Sequence, residues 1–245
     1  MNKFPRSAYV HIPFCHRRCF YCDFAVIPLG NKVETLQGYG SKTVKEYLHF
    51  LYKEILSIKH KSSLSTIYVG GGTPSILDPQ QIKQLIDLFK ENYGVDYGAE
   101  ITMEVDPASF NLEDLHGFIN AGINRFSLGV QSFNNQILQK SGRRHLREDA
   151  EKSCLWLKKV YSAGLIKSWS LDLIQNLPLS GLREWKEDLK KAITFSPPHI
   201  SIYDLNIENG TVFKKLVNLG KLQLPSDELA FSCLLYTSPS PRDPT

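Results

Sequence analysis

Three closely spaced cysteines, Cys15, Cys19 and Cys22, follow an apolar segment, 8–14, near the start of the chain. Three and then two residues separate them. Thiolates are the usual ligands of iron–sulfur clusters, and three on one loop can hold three corners of a 4Fe–4S cube. The fourth iron then lacks a protein ligand and is open to a small molecule. The spacing therefore predicts a cluster that takes part in chemistry.

The alternative for these thiols is a structural zinc site that adds His11 or His16. Zinc sites usually divide their ligands into two separated pairs, and this sequence has no second pair. The spacing therefore favours the cluster. Cys154 and Cys233 are isolated in the sequence, and we interpret them as small buried apolar residues.

Polar and glycine residues recur where predicted strands end. Gly70 to Gly72, followed by Thr73 and Pro74, come after the second strand, and glycines allow a close approach of the backbone to a ligand. Glu104, Gln131 and Asp172 stand where apolar strand residues would otherwise continue. Buried polar groups need partners. The partner is either a ligand or nearby loop backbone, and the residues alone leave this open.

The elements that must position these residues are alternating strands and helices. The strand candidates are 8–12, 66–69, 101–105, 125–130, 168–174 and 200–205. The helix candidates are 43–58, one beginning at Pro79 after the cap Asp78, one beginning after Asn111, 134–139, 148–161, 182–194 and 211–217. The stripe of helix 182–194 places Trp185, Leu189 and Ile193 inward. This alternation predicts an α/β fold, a partial (β/α)6 barrel of parallel strands that builds its site at the carboxyl ends of the strands.

Composition narrows the class of protein. The chain has 245 residues, 42% hydrophobic and 22% charged, with a formal net charge of +4. The one dense basic run, Arg143-Arg144-His145, is too short to indicate nucleic-acid binding. No apolar stretch approaches the roughly 20 residues that span a bilayer. The first residues are too few for a targeting peptide, so we expect a cytoplasmic protein, or a mitochondrial or plastid one if a targeting extension is missing.

The segment 9–24 resembles the cluster loop of the radical S-adenosylmethionine (SAM) superfamily, in the branch that holds oxygen-independent coproporphyrinogen III oxidase and its heme-chaperone relative. The resemblance covers residues 7–218. It implies a 4Fe–4S cluster whose open iron is chelated by SAM, with Cys15, Cys19 and Cys22 as the cluster ligands. It also implies SAM contacts at Tyr9, Tyr21, Gly71, Gly72, Thr73, Glu104, Gln131, Arg143 and Asp172.

Four expectations that accompany the resemblance concern single residues. Arg143 is expected to pair with the methionyl carboxylate of SAM and Tyr21 to lie beside its adenine. Asp106 is interpreted as a cap of the turn at Pro107 and is left out of the site. Asn176 stands where the family usually has glycine, and since asparagine tolerates a left-handed backbone we expect the turn to be preserved.

One position separates the two relatives. Genuine oxidases of this branch carry a fourth cysteine two residues after the third, whereas this chain has Phe24 there. The resemblance therefore implies a heme chaperone that binds heme and passes it to an apo-cytochrome, with an electron donor such as a flavodoxin or ferredoxin. The alternative is an oxidase that converts coproporphyrinogen III to protoporphyrinogen IX.

The end of the chain has a different character. A helix is predicted over 226–236, but residues 238–245 contain three prolines and favour no regular structure. Residues from Leu234 onward resemble translated adaptor DNA. We therefore expect a core domain over 1–225 and an aberrant or truncated tail over 226–245, in place of a C-terminal domain that the family usually carries.

Overall fold

A six-stranded parallel sheet forms the centre of the protein. The computed structural model describes residues 5–30, 39–58 and 62–237. The strands of the sheet are β1 (Ser7–Ile12), β4 (Leu64–Gly71), β5 (Val95–Val105), β6 (Arg125–Gln131), β7 (Ser168–Gln175) and β8 (His199–Asp204). They lie side by side in chain order, and β1 and β8 are the edge strands. This open α/β sheet confirms the predicted fold class.

A small second sheet consists of β2 (Phe14–Cys15) and β3 (Ile27–Pro28). The sequence did not predict it, because two-residue strands have no periodicity to detect. It lies at the two ends of the cysteine loop and brings those ends together.

Helices connect the strands of the central sheet. Their bounds are α1 (Tyr39–Ser57), α2 (Pro79–Tyr93), α3 (Leu112–Ala121), α4 (Asn135–Lys140), α5 (Arg147–Ser162), α6 (Leu182–Thr194), α7 (Val212–Asn218) and α8 (Asp227–Thr237). The predicted cap Asp78 is confirmed, and α3 begins after Asn111 as predicted. Asp78 forms a capping box with Gln81, and Asn111 forms one with Asp114, which satisfies backbone amides that have no partner inside the helix.

The main core lies between the sheet and its helices. Strand residues such as Val69, Met103 and Leu171 are fully buried, as are Leu85 of α2 and Phe118 of α3. Burial of this apolar surface is the main favourable term that holds strands and helices together. The core therefore fixes where each strand ends, and with it the position of the polar residues that follow.

Helix α6 differs from its predicted stripe. Trp185 and Leu189 are buried as expected, but Ile193 is 63% exposed, so its predicted inward position is wrong. Asp188 and Ala192 turn inward instead. A carboxylate at a buried helix position is costly unless hydrogen bonds compensate it.

The chain beyond α7 packs partly on the core. In α8, Cys233 is buried, and the Trp185 indole nitrogen donates to the Thr237 hydroxyl at 2.9 Å. The predicted irregular stretch 238–245 lies outside the described residues. The domain boundary at 225 stays a prediction.

Candidate metal and cofactor site

A cavity of about 400 Å³ opens where β4 to β8 end. This is the edge at which parallel α/β sheets bind ligands. The cavity brings together eleven of the twelve predicted site residues, which are Cys15, Cys19, Cys22, Tyr21, Gly71, Gly72, Thr73, Glu104, Gln131, Arg143 and Asp172. The sequence separates these residues by up to 157 positions, so the fold alone creates their proximity.

Backbone hydrogen bonds hold the cysteine loop on one side. The amide of Leu29 donates to the carbonyl of Cys15 at 2.8 Å, and the amide of Gly30 donates to the carbonyl of His16 at 2.8 Å. These bonds return the chain to the start of the loop. The three cysteines therefore project from a closed loop with a defined base.

On its other side the cysteine loop docks on two helices. The amide of Phe20 donates to the carbonyl of Ser141 after α4 at 3.0 Å, and the carbonyl of Phe20 accepts from the amide of Phe213 in α7 at 2.9 Å. Phe20 and Tyr21 pack on a small apolar cluster that includes buried Phe213. Two aromatic residues inside the cysteine motif thus anchor the loop to the rest of the fold.

The thiols lie in a partly buried environment. Burial raises the pKa of Cys15 to about 11, although a hydrogen bond from the Thr73 hydroxyl at 3.5 Å opposes this shift. Burial also raises the pKa of Cys22. Thiols of this kind become good ligands when a metal displaces their protons. The guanidinium of Arg143 reaches the sulfur of Cys19 at 3.5 Å and offers a positive charge next to an anionic cluster.

The zinc alternative fits this geometry poorly. Among the described residues, no three His, Cys, Asp or Glu side chains converge on a point that would suit a single ion. Three corners of a cube need thiols that are spread apart, because each binds a different iron. Both ring nitrogens of His11 also have partners, the Tyr9 hydroxyl at 3.2 Å and the carbonyl of Ala25 at 2.9 Å.

The glycines after β4 permit close packing on the cysteine loop. The amide of Gly72 donates to the carbonyl of Ile12 at 2.8 Å, and the amide of Thr73 donates to the carbonyl of Phe14 at 2.7 Å. A Cβ atom on Gly72 would lie 2.6 Å from the Phe14 carbonyl oxygen and 3.0 Å from the Cys15 sulfur. A side chain cannot fit at this distance, so glycine is required to place the end of β4 beside the first thiol.

Two carboxylates face the cavity and are held by neighbouring donors. Glu104 accepts from the Tyr68 hydroxyl at 2.8 Å and from the amide of Gly71 at 3.1 Å. Burial raises the pKa of Glu104, and these two hydrogen bonds partly offset the shift. Asp172 accepts from the Ser127 hydroxyl at 2.6 Å. These contacts orient both side chains, and the carboxylates still line the cavity.

Gln131 occupies a special position at the end of β6. Its φ is +68°, in the left-handed region that residues other than glycine rarely adopt. The register with β7 shifts between Gly129 and Gln131. Its side-chain oxygen is buried and has no hydrogen-bond partner within the described structure. Buried polar atoms are normally satisfied, so this acceptor suits a donor from a bound ligand.

Sequence reasoning missed two polar residues of the site. Asp106, interpreted only as a turn cap, does accept from the amide of Ala108 at 3.1 Å, but its other oxygen forms an ion pair with Arg143. Burial alone would raise the pKa of Asp106; the charge of Arg143 and the adjacent His145 together hold it well below its ordinary range. Buried His145 donates from Nε2 to the carbonyl of Val130 at 3.0 Å. For Asp106, the only signal in the sequence was its position directly before Pro107.

The two predicted tyrosines differ in location. Tyr21 lines the cavity, where burial and nearby Cys19 raise its pKa strongly. Tyr9 is 61% exposed, stacks on Tyr68 with ring centroids 6.0 Å apart, and is the one predicted contact outside the cavity lining among the described residues. The turn after β7 has the expected shape, since Asn176 adopts φ +63°.

Several known proteins are similar to this chain in sequence. Residues 9–173 match the sequence profile of the Radical SAM superfamily. The heme chaperone HemW of Synechocystis sp. is 41% identical over 225 residues, covering 91% of this chain and 53% of that protein. HemW of Lactococcus lactis is 37% identical over 225 residues, covering 91% and 55%. The chain thus spans about half the length of these curated relatives.

The fold is also similar to a solved structure. Coproporphyrinogen III oxidase (HemN) from Escherichia coli, a radical SAM enzyme, superposes with a TM-score of 0.79 at 29% identity, covering 94% of this chain and 51% of that one. Among the described helices, none has the length and apolar character to cross a membrane. The partly buried thiols, the close-packed glycines and the unpartnered Gln131 oxygen together fit a cluster and a polar ligand in one cavity.

Proposed function

The chain belongs to the radical SAM superfamily, and from this premise we propose that it binds a 4Fe–4S cluster and SAM and carries heme for transfer to an apo-cytochrome. The family implies the cluster and SAM. The observation that carries the residue assignment is the convergence of Cys15, Cys19 and Cys22 with the segment Gly71–Thr73 on one cavity.

The three cysteines would hold three irons of the cluster. When bound, such a cluster supplies an electron and one iron that is open to a further ligand. Arg143, close to the Cys19 sulfur, offsets the negative charge that thiolates and sulfides bring. Arg18 also lines the cavity and reaches the carbonyl of Val26 at 3.2 Å, so positive charge lies on two sides of the loop.

The polar residues around the cavity would bind and orient SAM. Its amino group and ribose hydroxyls are hydrogen-bond donors, and Glu104, Asp172 and the unpartnered oxygen of Gln131 are acceptors that face the cavity. The glycine segment packs on the cysteine loop and lines the cavity beside the first thiol. Tyr21 offers an aromatic surface for the adenine, and Tyr9 would contribute from the rim.

The assignment of heme as cargo rests on the relatives and on the rim of the cavity. The curated relatives named above are heme chaperones. Phe24, which replaces a fourth cysteine, is 56% exposed and lines the cavity together with Ile174 and Tyr203. Heme combines apolar faces with two carboxylates, so an apolar rim that also contains Arg18 suits it.

The second candidate function is that of a coproporphyrinogen III oxidase. The close superposition on HemN favours it. The phenylalanine at position 24 argues against it, because the oxidases of this branch carry cysteine at that position. An acceptor cytochrome and a flavodoxin or ferredoxin as electron donor belong to the first candidate as proposed partners.

The proposed location is the cytoplasm, or the mitochondrion or a plastid if the chain is directed there by a further segment. All five cysteines, each within the described residues, are free thiols. Free thiols persist in reducing compartments. These compartments also preserve an oxygen-sensitive cluster.

Three measurements on anaerobically reconstituted protein test the proposal. Electron paramagnetic resonance of the reduced protein should show a cluster signal that shifts when SAM is added. Titration with heme should give stable binding. Incubation with SAM, a reductant and coproporphyrinogen III should yield no protoporphyrinogen. Product formation would establish the oxidase instead, and uptake of zinc without iron would reject both candidates.

A further inference from the structure

The buried carboxylate of Asp188 lies on α6, outside the cavity, and has no part in the function proposed above. It is 3% exposed, on a helix position where an apolar residue would normally pack. No ion pair of Asp188 occurs among the described residues; Arg147 and Lys191, which line the same surface pocket as Asp188, pair with Glu151. A buried charge without an ion pair must be compensated by hydrogen bonds.

Both carboxylate oxygens of Asp188 bind the turn that follows β6. One accepts from the Ser132 hydroxyl at 2.7 Å, and the other accepts from the amide of Phe133 at 2.7 Å. The Ser132 hydroxyl in turn accepts from the amide of Asn134, which caps α4, at 3.0 Å. Asp188 therefore holds two consecutive residues of this turn and, through Ser132, the start of α4.

The residue directly before this turn is Gln131. Its left-handed backbone is a strained conformation for a residue with a side chain, and such strain persists only when neighbouring contacts hold it. The two hydrogen bonds of Asp188 are the buried side-chain contacts at the next two positions. They hold the two residues that directly follow Gln131 at the end of β6.

The same turn also leads to Arg143. Helix α4 begins at its cap Asn134 and ends beside Ser141, whose carbonyl accepts from the amide of Phe20 in the cysteine loop. The amide of Arg143 donates to the carbonyl of Leu138 at 2.9 Å. The turn that Asp188 holds thus lies in the segment that carries the lining residues Gln131, Gly142 and Arg143.

We propose that Asp188 is a positioning residue for the cofactor site, which fixes the orientation of Gln131 and thereby sets the affinity for SAM. This inference rests on the proposed binding of SAM in the cavity. Asp188 does not touch the ligand. It acts through the turn at Ser132 and Phe133.

Asp188→Asn and Asp188→Ala test this proposal in the full chain, with Glu187→Gln as a matched control on the exposed side of the same helix. Asparagine keeps the size but has a single acceptor oxygen, whereas alanine leaves the amide of Phe133 unpaired. We expect SAM affinity, measured by calorimetry on cluster-loaded protein, to fall about tenfold in the alanine variant and less in the asparagine variant. Iron content should match that of the wild type.

A double-mutant cycle distinguishes positioning from general destabilisation. If Asp188 acts through Gln131, Asp188→Asn should weaken SAM binding in the wild-type background and have little effect in a Gln131→Ala background. Equal losses in both backgrounds would overturn the proposal. Ser132→Ala removes one of the two bonds and tests the same link if Asp188→Ala fails to fold.

Amide hydrogen exchange tests the inference without SAM. Faster exchange at residues 131–134 in Asp188→Asn, with the remaining amides unchanged, is expected. If the wild type binds no SAM, the proposed function is wrong, and so is the proposed effect of Asp188 on SAM affinity. If the wild type binds SAM and the Asp188 variants bind it equally well, only the positioning role is rejected.

Discussion

Arg143 and Asp106 form an ion pair inside the cavity although 37 positions separate them in the chain. The side chains are 10% and 20% exposed. Arg143 also donates to the carbonyl of Gly129 at 2.7 Å and reaches the Cys19 sulfur. One guanidinium thus joins the ends of β5 and β6 to the cysteine loop, and one of its nitrogens is committed to protein partners before any ligand binds.

Breaking the ion pair of Arg143 and Asp106 should destabilise the folded protein. Asp106→Asn removes the countercharge and leaves the Arg143 cation buried, so we expect the free energy of unfolding to fall by about 3–5 kcal/mol. Glu187→Gln breaks the exposed pair with Arg183 and should cost less than about 1 kcal/mol. Denaturant unfolding measures both. Equal small losses would show that the buried ion pair stabilises the protein no more than the exposed one does.

The cysteine assignment predicts a spectroscopic loss. Cys15→Ala, Cys19→Ala and Cys22→Ala should each abolish the broad cluster absorbance after anaerobic reconstitution, because each removes one of only three protein ligands. Cys154→Ala is the control, since that buried thiol lies outside the cavity lining and should leave the spectrum intact. Unchanged absorbance in all three loop variants would refute the assignment.

Gly71, the last residue of β4, should be required for full SAM affinity. A Cβ atom on Gly71 would lie 2.7 Å from the His11 ring nitrogen, and its φ is +115°, so Gly71→Val must displace the end of β4. We expect SAM binding to weaken about tenfold or more by calorimetry. Gly164→Val introduces similar strain at φ +69° with no neighbour within 4 Å. A similar SAM affinity in both variants would contradict the placement.

Asp188 predicts a pH dependence of stability. Burial raises its pKa from the ordinary 3.8 to about 6, although the bonds from Ser132 and Phe133 oppose this. Glu187 raises this pKa further, and Arg147 lowers it. At pH values between 3.8 and about 6, Asp188 therefore keeps its proton in the folded state, whereas it has lost that proton in the unfolded state.

The contribution of Asp188 to the free energy of unfolding should consequently decrease as pH rises from about 4 to about 6, by on the order of 3 kcal/mol, and stay constant at higher pH. Asp188→Asn removes this decrease. Denaturant unfolding of both proteins at pH values below, within and above this window measures the difference. Parallel profiles of the two proteins would exclude the effect.

The position of Phe24 predicts a negative result. Phe24→Cys restores the cysteine pattern of the oxidases, yet we expect no protoporphyrinogen from coproporphyrinogen III, because substrate fit depends on the whole cavity lining and not on one added thiol. Chromatography of the porphyrins after anaerobic incubation measures this. Product from the variant, but not from the wild type, would mean that this residue alone separates the two functions.

Much of the fold could be predicted because its signals are local. The alternation of apolar strands with amphipathic helices, the caps Asp78 and Asn111, and the left-handed Asn176 all depend on residues within a few positions of one another. The packing role of the glycines, by contrast, could not be predicted, because the sequence shows only three consecutive glycines. The clash that a side chain on Gly72 would cause involves Phe14 and Cys15, which lie in a different segment.

The amino-acid sequence by itself determined the cluster motif, the order of the strands and helices, and the residue types at the strand ends, since these follow from spacing and periodicity. Only the tertiary structure decided that Asp106 pairs with Arg143, that Gln131 is left-handed, and that Asp188 rather than Ile193 turns inward on α6. The physical reason is that burial and hydrogen bonding act through space. A charged residue is placed inside when a distant segment supplies its partner, and local sequence does not contain that information.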